Sequence, residues 1–337
     1  MMPLRFILVG MGARSRIWRR VLDQHPDCSL VGMVEHDADR LKAALMESPD
    51  VAVGAALDEI TEQVDADIAL LCTPPADRHD QIDAACRAGL AILAEKPLAD
   101  TLAGAEAHVA AAAAAGVPIA VGLNFRYLAV TQELKKLFAP SRLGRPEFGR
   151  FTYERWRDGH QPHLNKYPLT MRQPMLWEQS IHHFDLMRFV YDAEPVSISA
   201  RTFNPSWSMY EGDANVAALI SFEGGIEVTY QGTWAGNWKQ MGFEWRTECR
   251  HGIALQSEMF GDLAFAMRED VELSPVDLRD EEPWFDDVWG FLEDFVGHFR
   301  YGTALPCTGA DHLKSLRMVE ACIQASARGA TVSLHEL

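Results

Sequence analysis

The residues best suited to proton transfer lie in the stretch 177–185, which reads Trp-Glu-Gln-Ser-Ile-His-His-Phe-Asp. Glu178, His182 and Asp185 occupy positions i, i+4 and i+7, and this spacing aligns their side chains along one stripe of a helix. An imidazole flanked by carboxylates can take up a proton and be stabilised in its charged form. The alternative is a helix without a catalytic role, in which the histidine is partly buried and hydrogen-bonded and the acids are solvated; it would show the same spacing. The stretch alone therefore predicts a helix and leaves both interpretations open.

A metal centre built from His182, His183 and Asp185 is disfavoured. Neighbouring residues on a helix point about 100° apart, so the adjacent histidines cannot easily share one ion. The six cysteines, at positions 28, 72, 86, 249, 307 and 322, have no paired short spacing, which indicates reduced thiols rather than disulfides or a zinc site. We therefore expect no metal.

The start of the chain carries the elements of a dinucleotide-binding turn. An apolar run, 4–9, predicts a strand buried on both faces, and Gly10-Met11-Gly12-Ala13-Arg14-Ser15 leads from it into a helix that ends near Gln24. Gly10 permits the tight turn, Gly12 lets the backbone approach a pyrophosphate, and the helix N-terminus supplies free N–H groups. Ser15 replaces the third glycine with another small residue. This context predicts a nicotinamide cofactor rather than a chance glycine turn.

An acid at the end of the next strand supports this prediction and favours NAD. Glu35 follows the predicted strand 29–34. It lies about 20 residues after the glycine turn, where an acid holds the ribose hydroxyls. A carboxylate there repels the 2′-phosphate of NADP, for which an arginine would be wanted. His36 and Arg40 lie close by and keep NADP open as the alternative.

Strands and helices continue to alternate up to residue 122. The pattern predicts strands over 66–72, 91–94 and 119–122, and helices over 80–88 and 102–115. Repeated strand–helix units give a doubly wound parallel α/β sheet, whose ligands lie at the carboxyl ends of the strands. Gly10, Thr73, Lys96 and Asn124 all follow such ends. Their convergence predicts the cofactor site at this edge of the sheet.

Lys96 is a candidate for the chemistry itself. It lies between Glu95 and Pro97 at the end of a predicted strand, and this context indicates a positioned side chain. Close to a nicotinamide, its ammonium could bind a substrate hydroxyl or share its proton. A solvated surface Lys–Glu pair of little energetic value is the alternative.

The pattern changes after Arg126. Successive strands without intervening helices are predicted over 146–156, 196–203, 215–222, 226–234 and 243–249, with helices over 128–138, 284–299 and 312–328. They indicate an α+β domain with an open, mostly antiparallel sheet. We expect a dinucleotide-binding domain over 1–123 and a substrate-binding domain over 124–337. The segment 157–176 and its flank supply candidate substrate contacts, with an ordinary surface loop as the alternative; these are Arg155, Arg157, His163, Lys166 and Tyr167.

The composition excludes two classes of partner. The chain of 337 residues has a net charge of −17, whereas nucleic acids and anionic membranes require a basic surface. The apolar run 4–9 is too short to span a membrane, and it lacks the basic start and cleavage site of a signal peptide. We expect a soluble cytoplasmic protein.

Several motifs together resemble the glucose–fructose oxidoreductase, inositol dehydrogenase and rhizopine-catabolism (Gfo/Idh/MocA) family over nearly the whole chain. They are Gly10-Met11-Gly12, Thr73-Pro74-Pro75 with His79, Glu95-Lys96-Pro97, Gly122-Leu123-Asn124-Phe125-Arg126-Tyr127, the helix 178–185 and the closing region 309–329. In the family the helix reads Asp-x-Gly-x-His-x-x-Asp. Here Glu178 stands in place of the aspartate and Ser180 in place of the glycine.

The resemblance implies a Rossmann domain and an open-sheet domain that also mediates assembly into a homodimer or homotetramer. It further implies an NAD(P)-dependent enzyme that oxidises a secondary alcohol of a sugar or inositol, or reduces the ketone. Lys96 and His182 would be the catalytic pair, with Glu178 binding substrate, and the Lys96–Pro97 bond is expected to be cis. The expected cofactor contacts are Gly10, Gly12, Ala13, Arg14, Glu35, Thr73, Pro74, His79, Glu95, Lys96 and Asn124. The expected substrate contacts are Lys96, Arg126, Arg157, Tyr167, Glu178 and His182.

Two alternatives remain. The same scaffold hosts reactions on non-sugar substrates, such as biliverdin- or dihydrodiol-like molecules. A regulator that senses NAD without catalysis would also carry the glycine turn. The presence of Lys96, Glu178 and His182 speaks against the regulator, because loss of those groups would be its signature.

Overall fold

The computed structural model describes residues 2–337, except for the side chain of Asp77. The strands in chain order are β1 (Leu4–Val9), β2 (Cys28–Val34), β3 (Ala52–Gly54), β4 (Ile68–Leu71), β5 (Ala91–Ala94), β6 (Ile119–Val121), β7 (Pro146–Glu154), β8 (Pro195–Phe203), β9 (Asn215–Phe222), β10 (Ile226–Thr233), β11 (Gly242–Cys249), β12 (Gly252–Glu258), β13 (Gly261–Met267), β14 (Ser274–Pro275) and β15 (Val332–Ser333). The helices are α1 (Ala13–Gln24), α2 (Ala38–Glu47), α3 (Leu57–Thr61), α4 (His79–Ala88), α5 (Leu102–Ala114), α6 (Ala129–Leu137), α7 (Ile181–Tyr191), α8 (Asp286–Tyr301) and α9 (Gly309–Arg328).

The described residues form two compact units. The first contains the chain up to Asn124 together with Trp284–Leu313, and the second contains Phe125–Pro283 and Lys314–Leu337. The second unit therefore differs from the uninterrupted domain 124–337 expected from the sequence. The physical reason is the apolar face of α8, where Phe291 packs edge-on against Trp18 of the first unit, with ring centroids 6.2 Å apart.

The first unit is built on a parallel sheet of six strands in the order β3-β2-β1-β4-β5-β6. Its central strands are buried on both faces, as their continuous apolar runs predict: Phe6, Ile7 and Leu8 are 0% exposed. Helix α2 and the short strand β3 lie in a part of the chain for which the sequence pattern predicted no element.

The second unit is built on a mixed sheet of nine strands in the order β14-β13-β12-β11-β7-β10-β9-β8-β15. Its pairs are antiparallel except for β7 with β10. The hairpin signal at 223–225 is confirmed, because Phe222 pairs with Ile226 across that turn. Strands β12 and β13 were not predicted; half of their residues are Gly, Ala, Asp or Glu, which have weak strand propensity, and pairing with neighbouring strands outweighs it.

The predicted fold class is confirmed: a doubly wound parallel sheet is joined to an α+β unit with a mostly antiparallel sheet. The helix expected around Glu178 is also present, but it begins differently. Residues Leu176–Ser180 form a π-helical turn, and the α-helical register starts only at Ile181. Within residues 2–337, every helix is too short or too polar to traverse a bilayer.

Candidate active site

The turn after β1 has the geometry that the glycines predict. Gly10 has φ +89°, and a Cβ at this position would lie 2.8 Å from Cγ2 of Thr73. Gly12 is the N-cap residue of α1, and a Cβ there would meet no atom within 4 Å. Ser15 is buried and donates to the Gly12 carbonyl at 2.7 Å, so a small side chain fits where a third glycine is usual. The exposed backbone of the turn and the α1 N-terminus suit a pyrophosphate.

Glu35 is fixed at the end of β2 by backbone donors. Its Oε2 accepts from the Met11 amide at 2.8 Å and its Oε1 from the Asp37 amide at 3.1 Å. The carboxylate is 3% exposed, with Arg40 at 3.7 Å and His36 at 3.4 Å. It therefore lies beside the glycine turn, where ribose hydroxyls can donate to its remaining lone pairs.

Arg14 and the buried Glu95 form a partly buried ion pair at the same edge of the sheet. Arg14 Nε and the Trp18 indole N–H both donate to Glu95 Oε1. Burial alone would raise the pKa of Glu95, but the Arg14 charge and these hydrogen bonds hold that pKa below its usual value. Glu95 is therefore an ionised anchor for the end of β5.

Asn124 extends this cluster. Its side-chain oxygen accepts from Arg14 at 3.0 Å, and its amide donates to Asp287 of α8. Asp287 is 0% exposed, and burial raises its pKa. The cluster fixes Asn124 rather than leaving its side chain mobile. Sequence reasoning missed Asp287, because no local motif marks it.

Arg78 is the second residue that sequence reasoning missed. Its side chain is buried and donates to backbone carbonyls in each of two loops: to Thr73 at 2.7 Å, and to Glu95 and Pro97. The expected cis bond between Lys96 and Pro97 is confirmed. One guanidinium thus ties the turn after β4 to the loop that carries Lys96. The available signal in the sequence was an arginine three residues after the Thr73-Pro74-Pro75 turn.

The lysine loop is held from a further direction by α9. The amide of Leu98 donates to Nε2 of His312, which is 0% exposed, at 3.2 Å. An accepting Nε2 requires a neutral ring with its proton on Nδ1. Lys96 is partly exposed, and the backbone on both sides of it is fixed by hydrogen bonds from Arg78 and to His312.

The turn after β4 places the remaining predicted cofactor contacts. The Thr73 hydroxyl donates to Gln81 at 2.7 Å, and Pro74 is exposed. His79 is exposed at the start of α4, where its ring stacks on His108 with centroids 5.9 Å apart. The direct contacts of these three residues and of Ala13 with a cofactor stay predictions.

In the second unit, His182 is buried and stacked. It is 5% exposed, and its ring lies against Phe125 with centroids 4.1 Å apart and planes inclined by 20°. Phe260 meets the Phe125 ring edge-on at 5.9 Å. The orientation of the imidazole is thus set by an aromatic residue 57 positions earlier in the chain, which the sequence pattern did not indicate.

Glu178 is oriented by Tyr167. The Tyr167 hydroxyl donates to Glu178 Oε1 at 2.9 Å, and both side chains are partly exposed. Glu178 lies in the π-helical turn, so its angular offset from His182 differs from that of an α-helical i, i+4 pair. The structure thus brings two predicted substrate residues, Tyr167 and Glu178, into contact.

Asp185 does not act as the second carboxylate of the predicted stripe. It is 2% exposed and accepts hydrogen bonds from Nε and Nη2 of Arg126, and from the Ser315 hydroxyl at 3.1 Å. A bidentate arginine satisfies a buried carboxylate better than an imidazole does. The interpretation of Asp185 as a partner of His182 is corrected accordingly, and the substrate role of Arg126 stays a prediction.

His183 faces the core of the second unit. Its Nδ1 lies 2.8 Å from the Tyr230 hydroxyl and its Nε2 lies 3.1 Å from the Gln179 amide nitrogen, while Tyr230 donates to Ser180 Oγ at 2.8 Å. Burial lowers the pKa of His183 to about 3. A neutral ring that donates from Nδ1 and accepts at Nε2 satisfies all three contacts. Ser180 is thus the acceptor of a buried tyrosine.

Arg157 lies on the segment between β7 and the π-helical turn. Its guanidinium lies over the Trp234 ring, 4.2 Å from the centroid, and it donates to the Tyr210 hydroxyl at 3.2 Å. Lys166 is exposed and donates to the Gly159 carbonyl at 3.2 Å. Arg155 and His163 are exposed. Of these predicted substrate residues, Arg157 has the most constrained side chain.

Two family models match the sequence. Residues 4–123 match a model described as an oxidoreductase family with an NAD-binding Rossmann fold, and residues 131–253 match the GFO/IDH/MocA C-terminal domain. The chain belongs to the Gfo/Idh/MocA family. Residues 4–123 are the NAD-binding domain of a Gfo/Idh/MocA oxidoreductase, and the left-handed Gly10, the open Gly12 and the fixed Glu35 fit that cofactor.

Two related proteins align with nearly the whole chain. The inositol 2-dehydrogenase of Rhizobium meliloti is 24% identical over 99% of this chain and 100% of its own. The D-apiose dehydrogenase of Paraburkholderia graminis is 26% identical over 98% of this chain and 89% of its own. The chain is thus similar in sequence to two dehydrogenases throughout its length.

Solved structures share the fold. An oxidoreductase from Agrobacterium radiobacter, in complex with NAD+, L-tartaric acid and magnesium, superposes with a TM-score of 0.89 at 19% identity, over 99% of both chains. An inositol dehydrogenase homologue from Azotobacter vinelandii, in complex with NADH and myo-inositol, superposes with a TM-score of 0.83 at 17% identity, over 98% of both chains. These likenesses extend to both units of the fold.

Proposed function

We propose that this protein transfers a hydride between NAD and a secondary alcohol or ketone of a sugar, sugar derivative or inositol. The observation that carries the proposal is the pair of proton-transfer groups held in rigid frameworks. Lys96 projects from the loop fixed by Arg78, and His182 is stacked on Phe125. A sensor without catalysis would have no need of either framework. The names of the dehydrogenase relatives support a polyol as substrate.

The proposed chemistry divides between cofactor and protein. Bound NAD supplies the hydride acceptor, or NADH the donor. In the oxidative direction His182 accepts the hydroxyl proton, directly or through Lys96, and Glu178 accepts a hydrogen bond from a second substrate hydroxyl. The Tyr167 hydroxyl keeps the Glu178 carboxylate in place for that contact. Glu178 is longer than the family's aspartate, so the substrate is bound in a pose of its own.

A substrate screen tests the proposal. Neutral sugars, inositols and their acids are incubated with the protein and NAD, and NADH formation is followed by its absorbance. We expect turnover of at least one polyol, and loss of that turnover in His182→Ala. Turnover of a dihydrodiol or a tetrapyrrole alone would favour the non-sugar alternative. NAD binding without turnover of any compound would favour the regulator.

The expected homodimer or homotetramer and the cytoplasmic location stay predictions from the resemblance and the composition. Size-exclusion chromatography with light scattering measures the first directly. A monomer would contradict the expected assembly without bearing on the hydride transfer.

A further inference from the structure

The segment that joins β7 to the π-helical turn is basic in an acidic protein. Residues 155–172 contain Arg155, Arg157, Lys166 and Arg172 against one acid, Asp158, whereas the whole chain has a net charge of −17. A locally positive surface concentrates anions, and an acidic protein repels them elsewhere. The charge of this segment is therefore a local feature that favours a negatively charged ligand.

Arg157 is the cation of this segment that the fold holds in place. The Trp234 ring lies against one face of its guanidinium, and Nη1 donates to the Tyr210 hydroxyl. Trp234 and Tyr210 are each 3% exposed, and the Tyr210 hydroxyl donates back to the Arg157 carbonyl at 2.7 Å. Because the side chain is already ordered, a ligand would bind it with little further loss of conformational entropy.

Arg157 differs from three other constrained arginines in having no acid partner. Arg14, Arg126 and Arg188 each pair with a carboxylate. In the part of the chain that the structure describes, Arg157 forms no ion pair. None of its guanidinium nitrogens is both buried and without a hydrogen-bond partner. A guanidinium is a planar fork of donors that matches a carboxylate through two parallel hydrogen bonds.

The same compact loop leads to the proposed substrate acid. Lys166 donates to the Gly159 carbonyl, which folds the segment back on itself two residues after Arg157. Tyr167 follows Lys166 directly and donates to Glu178. The loop therefore carries both the uncompensated guanidinium and the hydroxyl that orients Glu178.

We propose that the substrate is a polyhydroxylated acid whose carboxylate is bound by Arg157 while Glu178 accepts from one of its hydroxyls. The inference rests on the proposed function, since it specifies which class of polyol is turned over. A carboxylate is the anion that a single guanidinium pairs with most completely, whereas a phosphate dianion has three acceptor oxygens to satisfy.

Matched substrates test this assignment. Glucose is compared with gluconate and glucuronate, galactose with galacturonate, and glucose 6-phosphate serves as the phosphate probe. We expect a higher kcat/KM for a carboxylic acid than for its neutral partner, with a KM that rises with salt because the attraction is screened. Arg157→Met should lower kcat/KM for the acid about 10- to 100-fold, as expected for a charge-assisted hydrogen bond, and should lower kcat/KM for the neutral partner by a much smaller factor.

Two variants control for folding and for general charge. Arg157→Lys retains the charge without the planar fork and should keep part of the preference for the acid. Arg172→Met removes an exposed cation of the same segment and should lower kcat/KM for the acid far less than Arg157→Met does. Thermal unfolding of each variant verifies that the fold is retained.

Equal kcat/KM for acid and neutral partner, or an equal loss on both in Arg157→Met, would overturn the inference while the proposed function stood. A preference for the phosphate would overturn the carboxylate assignment. If no polyol of either charge is turned over, the proposed function fails, and calorimetric titration of glucuronate and galacturonate into the NAD-loaded protein decides the inference separately. Binding that Arg157→Met weakens would support it, and binding that is absent or unchanged would overturn it.

Discussion

The imidazole of His182 lies flat against the phenyl ring of Phe125, with ring centroids 4.1 Å apart. Phe125→Leu keeps the position apolar but removes the planar surface that fixes the imidazole. An aromatic pair contributes about 0.5–1.5 kcal/mol, so turnover should fall about 2- to 10-fold with NAD affinity unchanged. Steady-state kinetics and fluorescence titration measure the two quantities.

Phe148→Leu is the control for that prediction, because Phe148 is 57% exposed on the sheet and distant in sequence from the helix. It should leave turnover at the level of the unaltered protein. Equal turnover in Phe125→Leu and the unaltered protein would show that other contacts hold the imidazole.

Lys96 and His182 should behave as one functional unit. Replacement of either residue by Ala should lower turnover by about 100- to 10,000-fold, which is the usual contribution of a general acid–base group. The double variant should lose less than the sum of the two losses, because the proposed function assigns both residues to one proton path. NAD affinity should stay near normal, which fluorescence titration checks.

His183→Ala is the companion variant, and it should cost mainly stability because its ring contacts Tyr230 and Gln179 in the core. Abolished turnover in His183→Ala with normal turnover in His182→Ala would mean that the catalytic face of α7 is the one that carries His183.

The buried His183 should make the protein less stable in acid. Burial lowers its pKa to about 3, below the ordinary value of 6.5, so between these values the unfolded chain binds a proton that the folded chain does not. Stability therefore falls as pH decreases through that window, by up to about 1.4 kcal/mol per pH unit from this group. His183→Phe removes the contribution. Urea unfolding from pH 7 to pH 4 should show a smaller decrease for the variant than for the unaltered protein, and equal decreases would refute this assignment.

Glu35 should set the cofactor preference. NAD should bind more tightly than NADP, because a 2′-phosphate would meet the carboxylate that the Met11 and Asp37 amides hold in place. Glu35→Ser should weaken NAD and strengthen NADP relative to it, with Arg40 then free to pair with the phosphate. Tighter binding of NADP by the unaltered protein would show that Arg40 and His36 dominate this site.

Arg78 should be needed for both stability and turnover. Arg78→Met leaves the carbonyls of Thr73, Glu95 and Pro97 without their donor, and a buried unsatisfied group costs about 1–3 kcal/mol. Urea unfolding should therefore show a loss of at least about 3 kcal/mol, since three such groups are affected. Turnover should decrease in the fraction that stays folded, because the Lys96 loop is loosened.

Arg87→Met is the matched control for Arg78. Arg87 is 62% exposed and pairs with Asp58 on the surface, so its loss should change stability by no more than about 1 kcal/mol. Similar losses in both variants would show that charge, rather than the bonds to the carbonyls, explains the effect of Arg78→Met.

The elements that sequence analysis placed correctly are those encoded by local pattern. The turn from β1 through Gly10 to α1, and Glu35 at the end of β2, follow from apolar runs and glycines within a few residues of each other. The register of the helix around Glu178 was less accessible, because a π-helical turn leaves the same residue types at the same spacing.

The contacts that sequence analysis missed join residues far apart in the chain. Arg78 binds carbonyls 17 and 19 residues away, Arg126 binds Asp185 across 59 residues, and Asn124 binds Asp287 across 163. A side chain's partner at such separations is decided by strand order and packing, which periodicity does not specify. The i+7 position of Asp185 therefore suggested a partner for His182, whereas the tertiary fold supplies Arg126.

The hydroxyl of Ser180 determines which substitutions the protein tolerates at positions 180 and 230. Ser180 occupies the position where the family carries glycine, and it accepts the hydrogen bond of the buried Tyr230 hydroxyl. Returning the position to glycine removes that acceptor while the tyrosine remains, at a cost of about 1–3 kcal/mol. Ser180→Gly should therefore cost less stability when residue 230 is Phe than when it is Tyr, so the effect of either substitution depends on the other.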